Sequence, residues 1–176
     1  MLGSFNIARV LGVGVRLHWS FVVFIVVLLV TGFPFGVLRY NLAFLGVGIA
    51  IVLLHELGHA LVARRFGLQV LDVTLWPLGG FTRMSRIPED SKIEGWIAFA
   101  GPAVNLALAS LALFFAPDRT LIDGPLAMQH ASRFEFAAGW FVWVNLSLAL
   151  LNLLPAFPLD GGRLLRALIA LRTDWV

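Results

Sequence analysis

The sequence contains no cysteine, so disulfide bonds, thiolate zinc sites and cysteine nucleophiles are all excluded. Charged residues are also scarce, at 13% of the 176 residues, whereas 60% are hydrophobic. Soluble domains carry about 25% charged residues, so this composition is typical of a membrane protein. The net charge of +3 is small and the basic residues form no patch for nucleic acid, so no nucleic-acid partner is expected.

Three ionisable residues interrupt an otherwise apolar run in the segment His55-Glu56-Leu57-Gly58-His59. On a helix, positions i and i+4 share a face, so His55 and His59 can present two imidazoles to one ion. Glu56 points to the side of that pair, where it can hold a water molecule without binding the metal. The alternative is a pair of core histidines with a buried glutamate, which this spacing in an apolar helix disfavours. The pattern predicts one bound Zn²⁺.

A third metal ligand is needed, and Asp160 is the candidate. It lies in the segment 152–163, where two prolines end the preceding helix and Gly161-Gly162 allow a tight turn. Irregular backbone at a membrane edge is tolerated where it lines a cavity. The alternative role for Asp160 is N-cap of the helix 161–172. The incomplete metal site favours its role as a ligand.

Four apolar segments predict helices that cross a bilayer, so the fold class expected is an α-helical polytopic membrane protein with at least four transmembrane helices. The length fits a single domain, residues 1–176. A signal peptide is disfavoured for the first segment, because no small-residue cleavage site follows it. The predicted spans are 17–33, 42–63, 96–116 and 136–154.

Strand periodicity appears between the second and third spans. Residues 69–76 alternate in polarity, and after a turn the chain can return as a second strand over 81–84. A further short strand is expected within residues 4–18, at the membrane surface. The hairpin must satisfy its edge by pairing with that strand or with an extended substrate. The residues expected to contact substrate there are Gly79, Gly80 and Phe81.

The distribution of cations predicts the orientation. Connections between successive spans alternate sides, which puts ten of the 13 Lys and Arg residues on one side. The positive-inside rule makes that side cytoplasmic. We therefore expect a multi-pass protein of the cell membrane, with the active site and the small β-sheet towards the cytoplasm.

The predicted ligand set favours peptide hydrolysis. Three protein ligands leave a fourth position for water on a catalytic zinc. Glu56 would accept the proton of that water and pass it to the leaving amine. Asn152 is the candidate donor to the tetrahedral oxyanion, with Asn105 of the third span behind it. Asn105 is also expected to contact the substrate.

Together these motifs resemble the site-2 protease family of intramembrane zinc metalloproteases, peptidase family M50, in its compact, PDZ-less prokaryotic branch of the SpoIVFB type. The resemblance implies zinc on His55, His59 and Asp160, and a catalytic core made of the second to fourth spans. It also implies regulated cleavage of single-span membrane proteins within the lipid bilayer. The matching pieces are Leu17-His18-Trp19-Ser20, the HExxH segment, Gly79-Gly80-Phe81, Ala100-Gly101-Pro102 with Asn105, and Asn152–Arg163.

The sequence departs from the family in two ways. No PDZ-sized insert separates the motifs, so PDZ gating is not expected. Members of this branch often continue into further spans and CBS domains, which sense adenine nucleotides. The chain is expected to be shortened before that region, and an adenine nucleotide is a partner only through it.

Two rival functions keep the same ligands. One is a membrane zinc carrier or sensor, and the other is a catalytically silent zinc-binding scaffold. Neither needs Glu56, so Glu56→Gln separates both from a protease.

Overall fold

The computed structural model describes residues 3–31, 38–77, 79–115 and 133–173. These residues form five helices and one four-stranded sheet. In chain order the elements are β1 (Ser4–Val10), β2 (Val13–His18), α1 (Trp19–Thr31), α2 (Leu38–Arg65), β3 (Val70–Trp76), β4 (Gly79–Met84), α3 (Ser91–Phe115), α4 (Arg133–Asn152) and α5 (Asp160–Thr173).

The sheet has the order β1-β2-β3-β4. Strands β1 and β2 are antiparallel, β2 and β3 are parallel, and β3 and β4 are antiparallel, which confirms the predicted hairpin after the second span. The N-terminal segment forms a hairpin where a single strand was expected. Leu11 and Gly12, with φ of 49° and 80°, make the two-residue turn that this hairpin requires.

The C-terminal end of α2 reverses the direction of the chain, so that the sheet packs against this helix. Gly67 has a φ of 76°, and the amides of Gly67 and Leu68 donate to the carbonyls of Arg64 and Ala63. These two bonds form a Schellman motif, which ends the helix and reverses the chain into β3. One face of the sheet then packs against Ala60 of α2. The buried residues of that face are Val13, Val15, Val73 and Leu75.

Helix α3 is the centre of the helical part, since it packs against α2, α4 and α5. At Gly58 a side chain would meet the carbonyl oxygen of Ala100 at 2.9 Å, so glycine permits the close approach of α2 and α3. In the described part of the chain, the helices long and apolar enough to cross a membrane are Leu42–Arg65 and Ser91–Phe115. The prediction of at least four transmembrane helices is therefore not confirmed beyond these two.

Several helix boundaries differ from the predicted spans. Helix α1 begins at Trp19, because Leu17 and His18 belong to β2, where His18 pairs with Ser4. Helix α3 begins before the predicted residue 96, because the Asp90 carboxylate accepts the Lys92 amide at 2.7 Å and caps the helix. The last two residues of the first predicted span, 32 and 33, and the last residue of the third, 116, lie outside the described residues.

Candidate active site

His55 and His59 lie one turn apart on α2, and both are buried. Their Nε2 atoms are 3.2 Å apart. Asp160, the first residue of α5, brings its Oδ2 to 3.2 Å from Nε2 of His55 and 3.1 Å from Nε2 of His59. The structure thus brings together the three predicted ligands in a group that could hold one metal ion.

The other nitrogen of each imidazole contacts an acceptor. Nδ1 of His59 lies 2.6 Å from the carbonyl oxygen of Ile97, and Nδ1 of His55 lies 2.5 Å from Oδ1 of Asn105. We assign a proton to each Nδ1, because neither oxygen is a donor. Each Nε2 then presents a lone pair to the site, as a metal-binding histidine does.

The orientation of the Asn105 amide follows from a chain of buried hydrogen bonds. The Phe141 carbonyl can only accept, so Nδ2 of Asn145 faces it at 2.8 Å. Oδ1 of Asn145 then accepts from Nδ2 of Asn105 at 2.9 Å. Oδ1 of Asn105 is left to face His55. Both asparagines are fully buried, so this geometry favours a supporting contact to His55 over direct contact of Asn105 with substrate.

The site fits a cation by its chemistry and its space. The two imidazole nitrogens and the carboxylate oxygen are all acceptors, and they lie about 3 Å from one another. A metal ion bound between them would stabilise this arrangement. Gly101 of α3 borders the same space. A side chain there would lie 2.6 Å from Nε2 of His55 and would collide with Nε2 of His59, so glycine keeps the front of both nitrogens open.

Two features place Asp160 in this group. The glycines that follow it allow α5 to start against the preceding loop, because a side chain at Gly161 would collide with the carbonyl oxygens of Leu153 and Leu154. Helix α5 is held on α3 by the buried carboxylate of Glu94, which accepts a hydrogen bond from Arg166.

Glu56 is buried and lies beside the histidine pair without joining the metal-binding group. Its side chain runs over Gly80 of β4, where a Cβ atom would collide with it. The Thr82 hydroxyl, on the same strand, lies 2.6 Å from Oε2 of Glu56. The predicted base is therefore held between a helix and a strand.

The remaining predicted residues lie around this centre. Gly79 and Gly80 are half-buried at the start of β4, an end strand of the sheet, and Phe81 is 53% exposed. Asn152 is half-buried at the end of α4, where its Nδ2 donates to the Leu148 carbonyl at 2.9 Å. The roles of all these residues stay predictions.

Three supporting residues were not predicted from the sequence, namely Thr82, Glu94 and Asn145. Asn145 carried a signal, since a polar residue in an apolar helix requires a partner. Thr82 and Glu94 carried none, because a threonine in a strand and a glutamate in a first helical turn are both common.

Comparison with known proteins links this geometry to a family. The model described as Peptidase family M50 matches residues 42–117 and 118–174. The zinc metalloprotease Rip3 of Mycobacterium tuberculosis is 41% identical over 95% of this chain and 44% of its own length. The zinc metalloprotease MJ0392 of Methanocaldococcus jannaschii is 30% identical over 95% of this chain and 46% of its own. The chain thus spans less than half the length of these two relatives.

A solved structure shares the fold. The site-2 protease from Methanocaldococcus jannaschii superposes with a TM-score of 0.70 and 28% sequence identity. The match covers 98% of this chain and 74% of that chain. The sheet and the long apolar helices therefore belong to a fold that the two proteins share.

Proposed function

Because the chain belongs to peptidase family M50, the site-2 protease family, we propose that it is a zinc-dependent intramembrane endopeptidase. It hydrolyses a peptide bond in or near the transmembrane segment of a membrane protein. The observation that carries this proposal is the convergence of His55, His59 and Asp160 beside the carboxylate of Glu56. A metal carrier has no use for that carboxylate.

The three metal ligands and the two residues near them have different roles in the reaction. His55, His59 and Asp160 would hold one zinc ion, which supplies Lewis-acid chemistry by polarising a carbonyl and lowering the pKa of a water molecule. Glu56 accepts the proton of the attacking water and delivers it to the leaving amine. Asn152 donates to the oxyanion after its amide turns away from the Leu148 carbonyl.

The substrate lies along β4, an edge strand of the sheet. Strand β4 pairs with β3 on one side and has no further strand on the other within the described residues. An unwound substrate segment adds there by main-chain hydrogen bonds, with Gly79 and Phe81 as contacts. Gly80 of the same strand lies against Glu56, which brings substrate and base together.

We further propose a single-span membrane protein as the substrate and regulated proteolysis as the process. The chain acts as one domain in the cell membrane, with several spans and its site open to the cytoplasm. The excess of cations on the side of the HExxH helix end supports this orientation.

The test is mass spectrometry of a single-span test substrate co-expressed with the wild-type chain or with Glu56→Gln. A fragment cut within the span by the wild type and absent with the variant is the expected result, with equal zinc content in both proteins. Equal cleavage by both proteins, or no cleavage by either, would contradict the proposal. If neither protein cleaves the substrate and both bind zinc, the chain is instead a catalytically silent scaffold.

A further inference from the structure

Strand β4 contacts Glu56 at two positions. Gly80 and Thr82 are two residues apart and therefore lie on the same face of the strand. A Cβ atom at Gly80 would collide with Cγ of Glu56 and would lie 2.7 Å from Oε1. The Thr82 hydroxyl lies 2.6 Å from the other oxygen, Oε2. The two oxygens of the carboxylate thus have different surroundings.

The Thr82 hydroxyl has one proton and two acceptors within reach, both belonging to Glu56. Oε2 lies at 2.6 Å and the Glu56 main-chain oxygen at 3.1 Å. An ionised carboxylate is the stronger acceptor, and 2.6 Å is typical of O–H···O⁻ bonds. Within the part of the chain that the structure describes, Thr82 gives the carboxylate its one hydrogen bond.

The position of Thr82 is set by the core of the sheet. Thr82 pairs with Val73 of β3, and Gly80 pairs with Leu75. Val73 and Leu75 are almost completely buried and pack against Ala60 of α2, one turn after Glu56. The donor and the carboxylate are therefore held at a fixed separation by packed side chains.

We propose that Thr82 is a positioning residue for Glu56. Its hydroxyl holds Oε2, so that Oε1, over the glycine at position 80, is the oxygen left to accept a proton from water. This inference rests on the proposed function, in which Glu56 is the general base. It also means that one strand aligns both the substrate and the base.

The experiment compares Thr82→Val, Thr82→Ser and the control Thr74→Val in the full chain. Thr74 is a buried threonine of the neighbouring strand whose hydroxyl bonds to Asp72. Thr82→Val keeps the shape and removes the donor, so kcat should fall on the order of 10- to 100-fold, with KM and zinc content unchanged. Thr82→Ser restores the donor and should return most of the activity, and Thr74→Val should retain wild-type kcat.

Three outcomes would overturn the inference. Thr82→Val with wild-type kcat would show that the hydroxyl is dispensable. Thr82→Ser as inactive as Thr82→Val would assign the effect to the lost methyl group. Loss of zinc from Thr82→Val would indicate a structural role. If Glu56→Gln, run in parallel, cleaves as well as the wild type, the proposed function fails instead.

A second measurement needs no substrate. Thr82→Val leaves a buried carboxylate without its donor, which lowers the melting temperature. In the Glu56→Leu background there is no carboxylate, so the same substitution should lower the melting temperature less. Equal decreases in the two backgrounds would mean that Thr82 and Glu56 are not coupled.

Discussion

Oδ1 of Asn145 accepts a hydrogen bond from Nδ2 of Asn105 across 2.9 Å, and this contact between α4 and α3 determines which atom of Asn105 faces His55. Without it the Asn105 amide could rotate and present a donor to Nδ1 of His55. That ring would then favour the tautomer whose Nε2 carries the proton and cannot bind a metal.

Asn145→Leu should therefore weaken zinc binding on the order of 10- to 100-fold, the usual effect of losing a partner behind a metal-binding histidine. The affinity is measured by competition with a chromophoric chelator. Ser147→Ala, at an exposed position of the same helix, is the matched control. An unchanged affinity in Asn145→Leu would show that the Asn105 amide keeps its orientation unaided.

Gly101→Ala should abolish metal binding without unfolding the protein. The added methyl group occupies the space in front of both Nε2 atoms. Replacing glycine by alanine inside a helix otherwise stabilises the helix by about 0.5–1 kcal/mol, so lost metal would not reflect a damaged helix. Elemental mass spectrometry of the purified protein measures the zinc, and thermal melting checks the fold.

Gly95→Ala is the control for that experiment. Gly95 lies on the same helix, and a side chain there would meet Cβ of Ala167 at 3.6 Å, an ordinary contact. This variant should keep a full complement of zinc. Zinc retained by Gly101→Ala would place the ion elsewhere than between the two histidines.

Glu94→Gln should loosen α5 and thereby weaken metal binding at Asp160. The buried Glu94 carboxylate accepts from Arg166 and lies 3.8 Å from Nε of Arg163. Losing a hydrogen bond to a charged group lowers the free energy of unfolding by roughly 1.5–3 kcal/mol. We expect the lower end of this range, because the Arg166 side chain is half-exposed and water screens its charge.

The readouts for Glu94→Gln are the free energy of unfolding and the zinc affinity, both of which should fall. Arg172→Gln, at an exposed position in the last turn of α5, is the control and should change neither. Lower stability with an unchanged zinc affinity would mean that Asp160 is placed by the loop before it and not by the docking of α5.

The absence of cysteine makes the orientation testable, because an introduced cysteine is the sole thiol in the chain. Ser85→Cys lies just after β4 at an exposed position, and Ser132→Cys lies beyond the third predicted span. A membrane-impermeant maleimide should label Ser85→Cys in inverted vesicles and Ser132→Cys in intact cells. The reverse pattern would contradict a site that faces the cytoplasm.

The sequence predicted the conformations that depend on residues close to one another in the chain. The helical spacing of His55 and His59, the alternation in β3 and the prolines and glycines around Asp160 each imply a local conformation. The structure has the expected helix, strand and turn at those positions. The grouping of Asp160 with the histidines was predicted from chemistry, since a zinc site with two ligands is incomplete.

The contacts that the sequence did not predict all join separate elements. Thr82 reaches Glu56 from the neighbouring strand, and Asn145 reaches Asn105 from another helix. Such contacts depend on strand register and on helix packing, for which a single sequence carries no local signal. The N-terminal hairpin was missed because Leu11 is an unusual residue at positive φ in a tight turn.

The parallel pairing of β2 with β3 constrains how the chain is threaded through the membrane. Residues Gly14 to Leu17 pair with Asp72 to Leu75, so the chain that leaves the sheet at Trp19 has returned to that sheet by Val70. In the proposed orientation the whole sheet lies on the cytoplasmic side, so the number of bilayer crossings between these points is expected to be even. If α2 is one crossing, at least one more is expected between Trp19 and α2, and α1 by itself, at about 20 Å, is shorter than the hydrocarbon core.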